Sequence, residues 1–289
     1  MAAALVAGRA RLNTVVVNAE RPRNAVSRAS HGFLTRDGAH AIELLDIEKM
    51  QLKAYKTVRY VAAEVIGVDS DGDGYAVRTA GETWRTRRVV VAAGQRDVLA
   101  SLNLPGIEAI YGRSAFPCPF CDGFEHADQR IAVFAGESAA HFVPVVRVWS
   151  DDVVLFTNGR PLPTEVLEGF SARGVQVETA PVERLVAEGS RLRAVRVAGR
   201  EIPRDVAFLG EDFSVPTTSF AADLGVPKTR NDWGMEVLDA DETGATVVPG
   251  VYVIGDARTG FGGIAAAAAE GSGCASHIVH EVAMERWST

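Results

Sequence analysis

Residues 251–264 read V-Y-V-I-G-D-A-R-T-G-F-G-G-I, a β-rich run that breaks at Gly-Asp and then opens, through a glycine-rich turn, into an alanine-rich helix over residues 264–283. Such a strand ends where glycines let a flat ligand lie against backbone amides at a helix start. The same layout recurs upstream. Residues 88–92 (R-V-V-V-A) run into Ala93 and Gly94, residues 131–134 (I-A-V-F) into A-G-E-S-A-A-H, and residues 153–156 (V-V-L-F) into T-N-G. Shorter strand-like runs lie at 14–17, 63–68 and 75–79, and residues 41–55 carry Leu44, Leu45, Ile47, Met50, Leu52 and Tyr55 at amphipathic helical spacing. Strands alternating with helices predict an α/β fold. Two halves are visible, the second beginning near Ser114, and residues 208–215 lead the chain back into the first, so one domain is inserted in another.

With 289 residues, 47% of them hydrophobic, the chain can bury a large core without a disulfide framework, for which three cysteines are in any case too few. The net charge of −7 comes from interspersed signs with no basic stripe, which argues against a nucleic-acid partner. No positive region precedes the short apolar N-terminal run, and no segment approaches ~20 uninterrupted apolar residues. The expectation is a cytoplasmic protein with no membrane association.

The chemistry-bearing motif is P-C-P-F-C-D-G-F, residues 117–124. Cys118 and Cys121, two residues apart, can close and open a disulfide reversibly, and Asp122 beside them can move the proton that exchange requires. Two other readings stay open: half of a zinc site completed by His277 and His280, or two buried structural thiols. Residues 69–74 (D-S-D-G-D-G) imitate the start of a calcium loop, but Ala80 stands where the closing glutamate belongs, and a polar hairpin turn explains them. Residues 136–140 (G-E-S-A-A) approach a serine-hydrolase elbow at Ser138 without its final glycine, or form a worn dinucleotide loop with Ser138 and His141 in place of glycines.

In order along nearly the whole chain, R-P-R-N (21–24), H-G-F-L-T-R-D-G (31–38), V-V-V-A-A-G (89–94), L-P-G-I (104–107), C-P-F-C-D-G (118–123), W-S-D-D-V (149–153) and V-Y-V-I-G-D-A (251–257) resemble the low-molecular-weight thioredoxin reductase family of FAD-dependent pyridine nucleotide-disulfide oxidoreductases. The C-P-x-C branch includes dithiol oxidases of disulfide natural products. The resemblance implies two Rossmann-like domains: a discontinuous FAD domain, 1–113 plus 213–289, and an inserted NAD(P)-type domain, 114–212, bearing the cysteines. It implies that Cys121 faces the flavin, that Cys118 meets the substrate and that Asp122 is the acid–base residue. Arg21, Pro22, Asn24, His31, Gly32, Ala93, Gly94, Gly255, Asp256, Gly263 and Ile264 would hold FAD. No metal is implied, and the substrate would be a small dithiol or a thioredoxin-like protein met by a homodimer.

The sequence departs from this pattern in three places. The first strand of the FAD domain and its G-x-G-x-x-G do not precede M-A-A-A-L-V-A-G-R-A-R-L, so either the chain begins about one strand and turn too late or FAD binding is weakened. Ser138 and His141 replace glycines in the second loop. After residues 153–156 only Arg160 is available where NADPH-dependent members place a basic cluster. The expectation is a flavin-dependent dithiol oxidase that does not rely on NADPH. The alternatives are an NAD(P)H-dependent disulfide reductase, an FAD-lacking binding partner, and a hydrolase using Ser138.

Overall fold

In the strands Ile131–Phe134, Val153–Phe156 and Val206–Leu209 every residue is apolar and buried, as strands must be when a parallel sheet is covered on both faces. With Gln176–Glu178 and Ala115–Phe116 they form a five-stranded parallel sheet in the order 176–178, 153–156, 131–134, 206–209, 115–116. Successive side chains point to opposite faces. Ile131, Val133, Leu155 and Phe208 pack against the helices Ala139–Val146 and Thr164–Ser171. Ala132, Phe134, Phe156 and Ala207 pack against Leu185, Val195 and Ile202 of an antiparallel sheet, Val182–Glu188, Arg191–Val197 and Arg200–Pro203. The result is three layers: helices, parallel sheet, antiparallel sheet.

The computed structural model describes residues 1–288. The chain divides into two units, Met1–Ala25 with Ala39–Asp97 and Ser214–Thr289, and Val26–Gly38 with Val98–Phe213. The second unit therefore starts ahead of the boundary expected at Ser114 and also takes residues 26–38 out of the first. The reason for the earlier start is packing: Leu102, Leu104, Ile107 and Ile110 are buried in the core between the parallel and antiparallel sheets. Residues 26–38 are held by Val26, whose carbonyl accepts from the Arg113 guanidinium and lies 2.7 Å from where a Cβ on Gly112 would sit.

In the first unit, Thr14–Asn18 pairs in parallel with Val58–Ala62, and Val89–Val91 with Val251–Val253. Among the described residues, Thr14–Asn18 and Val89–Val91 each have a strand partner along one edge only. The sequence reading omitted Val58–Ala62 and placed a strand at 63–68, where the structure has one at Gly67–Asp71. That strand forms the expected hairpin with Gly74–Arg78, and Gly72 (φ +63°) supplies the turn. The helix Ala2–Arg9 approaches the long helix Gly263–Ser288 at Gly271, where an added Cβ would lie 3.1 Å from the Ala3 amide nitrogen. Among the described residues no helix is long and apolar enough to cross a membrane.

Phe208, fully buried and 6.1 Å from the Phe116 ring centroid, joins the sheet to its helical layer. Phe208→Ala is expected to lower unfolding stability by ~3–5 kcal/mol, read as a lower urea midpoint at unchanged slope.

Candidate functional site

The strand Ala115–Phe116 delivers the chain to Pro117 and then to Cys118, which caps a single helical turn, Pro119–Asp122. Pro119 stands at the first helical position, where its missing N–H is harmless and its fixed φ suits the turn. The turn aims the Phe120 and Cys121 amides at Cys118 Sγ, and Cys121 Sγ donates to Cys118 Sγ at 2.7 Å. The Cys121 hydrogen bond, helped by those amides, holds the Cys118 thiol below its ordinary pKa, against burial and the nearby Asp122 charge. Cys118 is 7% exposed and Cys121 half-buried. Gly123 closes the turn, since an added Cβ would lie 2.4 Å from Pro119 O and 2.7 Å from the Trp149 ring.

Burial pushes the Asp122 carboxyl up to about 7, with Glu125 raising it further and His31 pulling it down. His31 lies 3.5 Å through Nε2 from Glu125 Oε1 and 3.4 Å through Nδ1 from Asp37 Oδ2. The Gly32 amide donates to Asp37 at 2.8 Å and, with His31, holds that carboxyl below its ordinary value. His31 and Gly32, expected among the FAD contacts, thus belong to the unit that carries the cysteines. Phe120, between the two cysteines, and Phe124, three residues past Cys121, are exposed, with Trp149 edge-on to Phe120 at 5.5 Å.

The first unit gathers most of the other expected cofactor residues. Gly255 (φ +64°) turns the chain out of Val251–Val253 into Asp256, whose carboxyl is raised by burial. Asp256 Oδ1 accepts from the Gly262 amide at 3.0 Å. Buried Gln95 donates to the carbonyls of Asp256 (3.1 Å) and Glu236 (3.0 Å), while its Oε1 has no hydrogen-bond partner among the described residues. Arg23 grips Asp97 through two nitrogens and lies 5.2 Å from the Phe261 ring centroid. Gly94 and Gly263, both at positive φ, face open space, Ala93 is exposed and Ile264 half-buried. Pro22 and Asn24 flank the Arg23 turn, and Arg21 points outward to an exposed ion pair with Glu64.

A part-buried carboxyl held above its ordinary pKa, an orphaned acceptor and two glycines open to space fit the hydroxyl-rich and heterocyclic parts of a flavin. The glycine turn that would cradle its pyrophosphate is not among the described residues. Sequence reasoning passed over Gln95, Arg23, Asp97 and Glu125. Arg23 lies inside a motif that had been singled out, and Glu125 follows Asp122 by three residues, which were the available signals.

The loops at the carboxyl ends of the parallel strands take a different form. Ser138 Oγ donates to Gly210 O, and Arg160 pairs with Glu211. An added Cβ on Gly136 would lie 3.1 Å from both Arg160 Cδ and Glu211 Oε1, so the ion pair lies against the turn. The cavity here, lined among others by Phe134, Phe156, Asn158, Arg160 and Glu211, measures about 10 Å³, the size of one water. Asn158 bonds to Leu102 O, Asn103 O and the Val182 amide, which is a structural task.

The rival readings find little support. His277 pairs with Glu281 at 3.2 Å, and among the described residues no group of three or more His, Cys, Asp or Glu is arranged for a metal. The Ser138 hydroxyl donates to a carbonyl rather than to an imidazole. Cys274 is 1% exposed in the first unit, and burial pushes its thiol up to about 11.

The family model for pyridine nucleotide-disulphide oxidoreductases matches residues 1–271. Among curated proteins, the thioredoxin reductase tcpT of Claviceps purpurea is 27% identical over 89% of this chain and 82% of its own length. The thioredoxin reductase sirT of Leptosphaeria maculans is 24% identical over 89% and 83%. Among solved structures, a putative thioredoxin reductase of Bacillus anthracis superposes with a TM-score of 0.91 at 29% identity, covering 99% of this chain and 95% of that one. HlmI gives 0.89 at 34% identity, with coverages of 99% and 90%. A C-x-x-C pair at the end of a parallel sheet, two glycine-turn units and these likenesses agree: the chain belongs to the pyridine nucleotide-disulphide oxidoreductase family, among its thioredoxin reductase-like oxidoreductases.

Proposed function

We propose that this chain is an FAD-dependent dithiol oxidase: it closes a disulfide in a dithiol substrate through Cys118 and Cys121 and does not draw on NAD(P)H. One observation carries the choice of direction. The Arg160–Glu211 pair lies against the turn at Gly136 where a dinucleotide's phosphates would approach, and the cavity beside it holds about 10 Å³. A nucleotide would have to displace a carboxylate from the phosphate position, where members that use it need amides and cations.

The exchange follows from the pair's geometry. The Asp122 carboxylate takes the proton of the first substrate thiol, whose sulfur attacks Cys118 of the Cys118–Cys121 disulfide, and Asp122 passes that proton to the departing sulfur of Cys121, its chain neighbour. The second substrate thiol then gives its proton to Asp122 and attacks the substrate sulfur of the mixed disulfide. Cys118 leaves as the thiolate that the Cys121 thiol and two amides stabilise. A carboxyl poised near 7 can serve both as acid and as base at neutral pH. Flavin, when bound, supplies the acceptor for the electron pair that the reduced cysteines carry, and oxygen is the terminal oxidant. The exposed Phe120 and Phe124 flanking Cys121 in sequence favour a small apolar dithiol over a charged one. A homodimer and a cytoplasmic setting belong to the same proposal.

Anaerobic addition of NADPH to the flavin-loaded protein is expected to leave the flavin absorbance unchanged, while dithiothreitol bleaches it and Cys118→Ser abolishes that bleaching. Rapid bleaching by NADPH would overturn the oxidase reading.

Asp122 also makes a stability prediction. Its folded pKa of about 7 lies above the ordinary carboxylate value, so ionisation disfavours the folded chain. The penalty is absent below the ordinary range, grows as pH rises to about 7 and is constant beyond it. Asp122→Asn should therefore melt higher than wild type at about pH 8 and together with it at about pH 4, while losing roughly 10²-fold in exchange rate.

A further inference from the structure

Reduction of the pair leaves one proton without a place. Cys121 Sγ donates to Cys118 Sγ, whose thiol is held below its ordinary pKa, and the exchange proposed above leaves Cys118 as the thiolate. A dithiol brings two protons, and the reduced pair keeps one: substrate dithiol plus the enzyme disulfide gives substrate disulfide, Cys121 thiol, Cys118 thiolate and one proton. One S–S bond breaks in the enzyme and one forms in the substrate, and the electron pair passes to the cysteines. Asp122 can take the released proton, but it is itself partly buried, so a second group must return it to water.

The residues that could do so come from a segment distant in sequence. Residues 26–38 are folded onto the cysteine-bearing unit, clipped by Arg113 to Val26 O, and are closed on themselves by the Gly38 amide donating to buried Ser30 O at 3.0 Å. They bring His31 to Glu125 (3.5 Å) at the end of the cysteine turn, with Asp37 (3.4 Å) on its other nitrogen. Glu125 follows Asp122 by three residues and acts on its charge, as does His31. Exposure increases outward, from His31 at 25% to Glu125 at 42% and Asp37 at 67%. The charged groups in contact with His31 are therefore Glu125 from the cysteine turn and Asp37 from its own loop, and Asp122 feels its charge.

We propose that His31 is the proton-exchange partner of Asp122: clamped between Asp37 and Glu125, its imidazole carries to solvent the proton that Asp122 takes from a substrate thiol. The inference rests on the reading of Asp122 as the acid–base residue. His31 is a positioning and relay residue, since it touches neither sulfur in this structure. A neutral imidazole accepts the proton on one nitrogen and, as imidazolium between two carboxylates, releases it to water.

The test is single-turnover reduction of the oxidised full-length protein by dithiothreitol, followed by alkylation of quenched samples and by proton release to a pH indicator, across the pH range. His31→Ala should slow exchange and proton release together by about tenfold, less than the ~10²–10⁴ that a direct acid–base group supplies. Free imidazole should restore both in that variant. His31→Gln, which can keep a hydrogen bond to Asp37 but carries no proton, should be slow with an unchanged melting temperature. A wild-type pH profile in either variant, or a slow His31→Ala that imidazole does not restore, overturns the relay. Asp122→Asn separates the two layers: if it is slow while the His31 variants are normal, only the relay falls, and if it too is normal, the acid–base reading of Asp122 falls with it.

Discussion

A parallel sheet has to be covered on both faces, and in the second unit that requirement sets the position of everything chemical. Helices take one face and an antiparallel sheet the other, so the only free ground is at the strand ends. One short edge strand, Ala115–Phe116, is anchored there by register with Val206–Leu209 and hands the chain to Cys118 at a fixed place. The thiol pair is thus held by main chain bonded into a sheet, with rotamers limited by the turn that Pro119 starts and Gly123 closes.

Electrostatic pairing divides labour between the two sulfurs and the acid beside them. Amides and a neighbouring thiol favour charge on Cys118, while burial disfavours charge on Asp122 only one position past Cys121. Neighbouring groups pushed in opposite directions by their surroundings can exchange a proton near neutrality without a large energy step. Elsewhere in the same unit, Glu211 and Arg160 satisfy each other at the strand ends.

Much of this was legible in the order of residues. The runs at 131–134 and 153–156 are continuous and apolar, which a sheet buried on both faces requires, and their strands fall where expected. The helix expected over 264–283 is there, extended to Gly263–Ser288. Residues 182–203 were passed over, although their apolar residues alternate with charged ones between turns at Gly189 and Gly199, and that alternation is what buries Val195 and Val197 against the parallel sheet beside exposed Arg196. Val58–Ala62 escaped as well, since V-R-Y-V-A gains its strand identity from pairing with Thr14–Asn18. The cysteine pair and Asp122 are adjacent in sequence and could be found there. The clamp on His31 could not, because Glu125 lies far along the chain and only tertiary packing of residues 26–38 brings the two together.

The third cysteine gives the chain a built-in analytical property. Cys274 sits at 1% exposure with its thiol raised to about 11, so at neutral pH it is almost wholly protonated and screened from reagents. Alkylation of the native chain therefore counts electrons: two reactive thiols when the pair is reduced, none when it is oxidised, and a third only when the fold itself has been lost.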